Sequence, residues 1–325
     1  MYNFRTDLAL ERNEIVKKKD NLENIEGIET EENRIDDSLV VSKVKIINDK
    51  GAEAIGKPIG NYITIDLNKL NIAQEEEIEK YANCLADEIK KLVDIHIESG
   101  DEVLIVGLGN EYVTPDALGP KVAKEIEVTR HLLKYMPEYV KPGTRPISSI
   151  APGVLGTTGI ETLEIVQGVV EKTKPKMLIV IDSLASRKIE RISSTIQLAD
   201  TGIVPGAGVG NTRKELSKET LGIPVIAIGI PTVVDLGTII DEGLDIFISK
   251  LQEKAESNEY LNKLKEQDNY EEIKEALAPN DYNMIVTPKE IDDLIENMKN
   301  VISRRNKLRR IKYFNAKIYT LIKYY

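Results

Sequence analysis

The chain has 325 residues, 41% hydrophobic and 30% charged, enough for a sizeable core in one large α/β domain or two smaller ones. A formal charge of -10 and an isoelectric point near 5.1 exclude general affinity for a nucleic-acid backbone, which requires concentrated positive charge. A single cysteine excludes a disulfide framework, and no uncharged apolar run approaches the ~20 residues of a membrane span, so an intracellular chain is expected.

The opening MYNFRTDLALERNEIV runs into mixed charges through about Asp37, a composition that suits an exposed extension or a charged helix. Residues 40–67 then read as an antiparallel strand pair or sheet edge, VVSKVKIIN and NYITIDL flanking the turn NDKGAEAIGKP. Apolar spacing over 73–92 predicts a helix that covers the sheet, with Cys84 in it as a buried thiol. Gly100 ends that region, and 103–106 form a buried strand.

The strand leads into GLGNEYVTPDALGP. There Gly107 and Gly109 relieve backbone crowding and Pro115 restricts the loop just before Asp116. Asp116 can equally cap a helix beginning near Leu118, and a cap and a catalytic acid are compatible. GLGN also hints at a phosphate or dinucleotide loop but lacks the full glycine fingerprint. RPISSIAPGVLGTTGIET supplies a strand or loop, a turn containing Gly153 and Gly156, and a helix starting near Glu161. Arg145, beside Pro146, is either a surface guanidinium or a group that orients a carboxylate.

A second strand, 177–181, delivers Asp182. Behind it, Ser183 is a candidate cap and Arg187 a candidate partner for an acid, and Ser183 has no serine-protease motif around it. The segment DTGIVPGAGVGNTRKELSKETLGIPVIAIGIPTVVD alternates turns with strand-like runs; Asn211 and Arg213 are possible polar contacts, and Asp235 reads as a strand end or cap. Beyond it, spaced Leu and Ile among mixed charges predict helices over roughly 250–325, basic towards the end but without a recognised nucleic-acid motif.

Asp116 and Asp182, each following a buried strand, are expected to share one edge of a sheet. Two close carboxylates can hold a water and share a proton, one acting as base and its protonated partner polarising a carbonyl, which is the chemistry of amide hydrolysis. Backbone amides of the 107–109 or 153–159 loops are candidate oxyanion donors. A hard-metal site that adds His96 and His131 is an alternative, although no metal-binding motif joins them. A glycine-rich interaction protein that binds a partner through the same loops is another.

FRTDLALE, VLIVGLGNEYVTPDALGP, RPISSIAPGVLGTTGIET, IDSLASRKIERISSTIQLADTGIVPGAGVGNTRKELS and GIPVIAIGIPTVVD together resemble the spore germination protease family over roughly the first 235 residues. The resemblance implies an atypical aspartic peptidase, related in fold to hydrogenase-maturation proteases, whose functional aspartates match Asp116 in TPDALGP and Asp182 in IDSLASR. It also implies a zymogen cut between Asp7 and Leu8, so that residues 1–7 form a prosegment and 8–325 the protease domain. Its implied substrates are the small acid-soluble spore proteins, its assembly a homotetramer, and its place the cytoplasm of the developing spore and the spore core. No cofactor, metal, membrane or direct nucleic-acid partner is implied. The expected architecture is α/β, a mostly parallel central sheet flanked by helices, with insertions and a C-terminal helical extension.

Overall fold

The structure is a computed structural model that describes residues 6–67, 75–98, 100–207, 213–240, 243, 246–247, 250 and 285–303. The Asn211 contact, the low-complexity stretch before residue 285 and the basic tail lie outside them.

Buried apolar runs form the middle of one mixed sheet. The strands are β1 (Ile28–Asp36), β2 (Leu39–Ile46), β3 (Gly60–Leu67), β4 (Val103–Gly107), β5 (Ile147–Ile150), β6 (Met177–Ser186), β7 (Thr195–Ala199), β8 (Val225–Asp235) and the short β9 (Ile285–Val286). Their order is β1-β2-β3-β7-β8-β6-β4-β5, with β9 paired to β8. The α/β architecture is as expected, and its parallel part is confined to β8-β6-β4-β5. In the β1-β2-β3-β7-β8 half every pairing is antiparallel; β1 and β2 join through the tight turn at Asp37 and Ser38.

Alternation along β4 and β6 explains why both read as unbroken apolar runs. Val103, Ile105, Met177, Ile179 and Ile181 enter one core, while Leu104, Val106, Leu178 and Val180 enter the core on the opposite face. The first face is covered by α3 (Glu75–Asp94), whose Tyr81, Leu85, Ile89 and Leu92 recur at helical spacing. Cys84 sits half-buried in α3, where burial, with Glu88 and Asp87, pushes its thiol up to about 11 and keeps it unreactive.

The charged segment before Asp37 divides into two elements. Residues 9–19 form a helix, α1 (Ala9–Lys19), and Ile28–Asp36 is an exposed edge strand in which only the pairing with β2 enforces extension. Its Glu and Arg side chains guard that edge against further pairing. Between β2 and β3, α2 (Asp49–Ile55) fills the turn and is capped by Asn48 Oδ1 accepting from the Gly51 amide at 3.1 Å.

The described part of the C-terminal region, helix Ile291–Ser303, is no appendage. Ile295, Met298 and Val301 are fully buried in the same core as α3. Ile295→Ala should therefore destabilise the protein by about 2–5 kcal/mol in urea unfolding, the range for truncating a buried aliphatic side chain; a loss near zero would mean that the helix is dispensable to the core.

Candidate active site

The C-terminal ends of β4 and β6 converge on a cavity of about 540 Å³ that both expected acids line. β4 passes Gly107 into a loop and a 3-10 turn, Thr114–Asp116, and α4 (Leu118–Glu125) follows at once. A Cβ at Gly107 would strike the Gly119 carbonyl, and one at Gly119 would strike the carbonyls of Leu108 and Ile181. The start of α4 thus sits directly on the end of β4 and on β6 at Ile181. Gly109, at φ +114°, folds over Asp116, and a side chain there would meet the Asp116 backbone.

Asp116 does not cap α4. Its Oδ2 accepts from the Asn110 amide at 2.7 Å, which locks the carboxylate inside its own loop. Asp182 differs from expectation in another way: β6 continues to Ser186, so Asp182 lies within a strand, held open there because β6 outruns β4. It is 5% exposed, and its Oδ1 accepts from the Ser183 amide at 2.8 Å.

Burial pushes the Asp182 carboxyl well above the ordinary carboxylate range; the Asp116 charge pushes it further, and Asp7 adds to both against the opposing Ser183 amide. Burial also raises Asp116, with the Asn110 amide opposing. The two line one cavity, and the stronger burial of Asp182, together with the Asp116 charge, favours Asp182 as the acid that holds a proton.

Asp7 reaches the same cavity. Its amide donates to the Ala185 carbonyl at 2.9 Å, its Oδ2 accepts from the Ala185 amide at 2.9 Å, and its carbonyl accepts from Gln197 Nε2 at 3.2 Å. Burial raises its carboxyl, partly offset by the charge of Lys57, by the Ala185 amide and by Arg12. Lys57 in turn is lowered by burial and held up by Asp7, across a smaller cavity of about 200 Å³. Leu8 is fully buried; its amide donates to Thr6 Oγ1 at 3.1 Å, and Gln197 Oε1 accepts from the Ala9 amide at 2.7 Å.

The remaining expected residues separate. Gly109, Gly156 and Arg213 line the cavity, and Arg213 lies 4.0 Å from Glu161. Gly107 serves helix packing and does not line the cavity, and neither does Gly153, a left-handed turn residue at φ +75°. Arg145 is displaced altogether: it precedes β5 at the N-terminal ends of the parallel strands, 1% exposed, where its guanidinium donates to the Asp101 carbonyl at 2.9 Å. Its neighbour Pro146 said nothing about which end of the strand it would occupy. Arg187 stands past the end of β6, where its amide donates to Glu11 at 2.7 Å. Asp235 ends β8 and accepts from the Gly237 and Thr238 amides, as a cap does.

His96 and His131 lie after α3 and in a short helix, α5 (Arg130–Tyr135), and neither lines the cavity. Among the described residues, no group of three or more His, Cys, Asp or Glu converges on a metal position. No described helix is long and apolar enough to cross a membrane.

Sequence reasoning missed Asn110, which fixes Asp116 through its backbone, and Gln197, which grips the segment beside Asp7 from β7. It also missed Thr232. That residue and Ser183 line the cavity, while their hydroxyl oxygens are buried out of its reach and have no partner among the described residues. Ser183 caps nothing, since β6 continues through it. Only Pro231, unusual inside a strand, marked the place in the sequence.

The germination protease family model matches residues 5–264 and 249–308. A germination protease of Clostridium perfringens is 46% identical over 307 residues, covering 93% of this chain and 94% of that protein. One from Caldanaerobacter subterraneus is 46% identical over 305 residues, covering 93% and 92%, and one from a Geobacillus species is 42% identical over 347, also covering 93% and 92%. Among solved structures, the [NiFe] hydrogenase maturation protease HycI of Thermococcus kodakarensis is 22% identical and covers 46% of this chain and 80% of that one, with a TM-score of 0.28, a likeness too weak to build on.

A carboxyl whose folded pKa is raised stabilises the fold fully below its unfolded value, 3.8 for Asp, and loses that contribution as pH rises through the folded value. Asp182→Asn retains the oxygen that accepts from Ser183 and removes the buried charge. The variant should melt higher than wild type at pH 7, with a shallower fall in melting temperature between about pH 4 and 7. Parallel pH profiles for the two proteins would contradict the buried, proton-holding environment.

Proposed function

The chain belongs to the germination protease family, and from that membership we propose an endopeptidase that removes its own residues 1–7 and then degrades small acid-soluble spore proteins by aspartate-activated water. The observation that carries the chemistry is the pair Asp116 and Asp182 in one cavity, the second pushed towards its protonated form by burial and by the charge of the first. In this reading a water lies between them. Asp116 takes a proton from the water as its oxygen bonds to the scissile carbonyl carbon, and Asp182 gives its proton to the carbonyl oxygen. When the carbon–nitrogen bond breaks, the proton on Asp116 passes to the departing amine, and Asp182 recovers a proton as the new carboxyl forms.

Self-processing is supported by Asp7 lining that same cavity beside Asp182. The Asp7–Leu8 bond is buried in this form, with Leu8 fully enclosed, so its hydrolysis requires the segment to shift within the cavity. Asp7 therefore both occupies substrate space and adds a third acid to the dyad, which accounts for a precursor of low activity.

The substrate proteins, residence in the spore core and assembly as a homotetramer complete the proposal. Exposed Tyr135, Met136 and Tyr139, clustered at and after α5, offer an apolar surface for subunit contact.

The test uses intact mass and cleavage of a purified small acid-soluble spore protein, with wild type, Asp116→Asn and Asp182→Asn. Wild type should lose residues 1–7 and degrade the substrate, and each variant should lose about 10³-fold or more in both readouts while staying folded. Full activity in both variants would refute the dyad and send the search to a metal or another nucleophile.

A further inference from the structure

One side chain grips the backbone at the Asp7–Leu8 peptide and again at the peptide after it. Gln197 Nε2 donates to the Asp7 carbonyl oxygen at 3.2 Å, and Gln197 Oε1 accepts from the Ala9 amide at 2.7 Å. The two ends of the side-chain amide are not interchangeable here, because a carbonyl only accepts and a backbone N–H only donates. Gln197 sits in the middle of β7 and is 7% exposed, so water competes little for either bond.

Strand register places Gln197 beside the acids. Asp182 of β6 pairs with Gly229 of β8, and Gly229 pairs with Gln197 of β7. Paired residues on neighbouring strands project to one face, and the strand spacing sets the Asp182 and Gln197 backbones about 10 Å apart. Their neighbours Ile181, Ile228 and Leu198 enter the core on the opposite face. Gly229 puts no side chain in the row; a Cβ there would strike the side chain of Leu184. Asp7 spans the interval, since with Leu184 it lines both the cavity of Asp116 and Asp182 and the smaller cavity that Gln197 lines. An anchor for α1 would need Oε1 alone, because Ala9 is the first residue of that helix. Nε2 is aimed instead at a carbonyl outside it.

Resting on the peptidase reading and its cut after Asp7, we propose that Gln197 is a catalytic residue of self-processing, its Nε2 donating to the carbonyl oxygen of the bond being cut. As water adds to the Asp7 carbonyl carbon, electron density moves onto that oxygen and the bond from Nε2 strengthens, which lowers the barrier. The oxygen keeps a second lone pair for the proton from Asp182. Gln197 retains both its amide protons, and the proton on Asp116 passes to the Leu8 nitrogen as the carbon–nitrogen bond breaks. The flexible Gln197 side chain can follow the shift that carries the bond to the dyad, so the carbonyl stays on its donor.

The experiment follows loss of residues 1–7 by intact mass, with thermal unfolding, in wild type, Gln197→Met, Gln197→Glu, Asp116→Asn and Asp182→Asn. Gln197→Met keeps the length and removes the donor, and its processing rate should fall about 100-fold, in the range for loss of one such donor. Gln197→Glu keeps an acceptor for the Ala9 amide but donates to the carbonyl only when protonated. Its rate, divided by that of wild type at the same pH, should be low at high pH and climb as pH falls. Asp7, Arg12, Lys57 and Glu215 line the same small cavity, and their charges set where that ratio turns. A purely anchoring role would leave the ratio flat, because Ala9 has its acceptor in either state.

If Gln197→Met processes within about threefold of wild type while the aspartate variants are inactive, the donor is wrong and the dyad stands. If Gln197→Met does not fold, Gln197→Glu decides alone: a flat ratio reduces Gln197 to an anchor for α1 and overturns its catalytic role. Full processing in the aspartate variants removes the peptidase reading and the donor with it.

Discussion

The cavity depends on one close backbone contact, the seating of α4 on the end of β4 and on β6 at Ile181. Gly107 and Gly119 face each other where any side chain would collide with a carbonyl, and the Leu108 amide reaches across to the Ile181 carbonyl at 2.8 Å. This contact brings the 3-10 turn that ends in Asp116, just ahead of α4, to the part of β6 where Asp182 follows Ile181. Asp116 and Asp182 line one cavity because the helix cannot sit further away without losing the packing of Leu118 and Val122 into the core.

Once together, the acids are governed by burial. Each carboxyl in the cavity, Asp7, Asp116 and Asp182, is raised first by desolvation, and Asp182 bears the mutual repulsion as well. Single backbone amides from Asn110 and Ser183 hold Asp116 and Asp182 in place. The arrangement opposes stability at neutral pH, as a site that must keep one acid protonated does. The large two-faced core supplies the compensating stability.

The N-terminal segment is tied to the same strand end by a separate polar network. Glu11, 1% exposed, accepts from the Arg187 and Lys188 amides just past β6 and from Thr6 Oγ1, while Arg191 lies between Glu11, Glu14 and Asp66. With Gln197 holding Ala9 and Asp7, α1 is anchored to β7 and to the chain beyond β6. Any movement of residues 6–8 is therefore felt at the strand that carries Asp182. The charged composition that suggested an exposed extension concealed this, because a carboxylate held by backbone amides reads in sequence like one in solvent.

Local rules account for what the sequence made legible. Period-2 and period-3.6 apolar spacing located β2, β3, β4, β6, β8 and α3, and acids behind buried strands singled out Asp116 and Asp182. The edge strand β1, the length of β6 past Asp182, the distant place of Arg145 and the bulge at Thr232 were not legible. Each is decided by a partner far along the chain: β2 for β1, β8 for the end of β6 and the bulge, and the Asp101 carbonyl for Arg145. By itself the sequence determined which segments are buried and which two acids come at the ends of buried apolar runs, because those follow from side-chain chemistry and short-range spacing. Tertiary structure alone decided that the acids share one cavity and where Asp7 lies, because strand register and helix seating are set by contacts between residues remote in sequence.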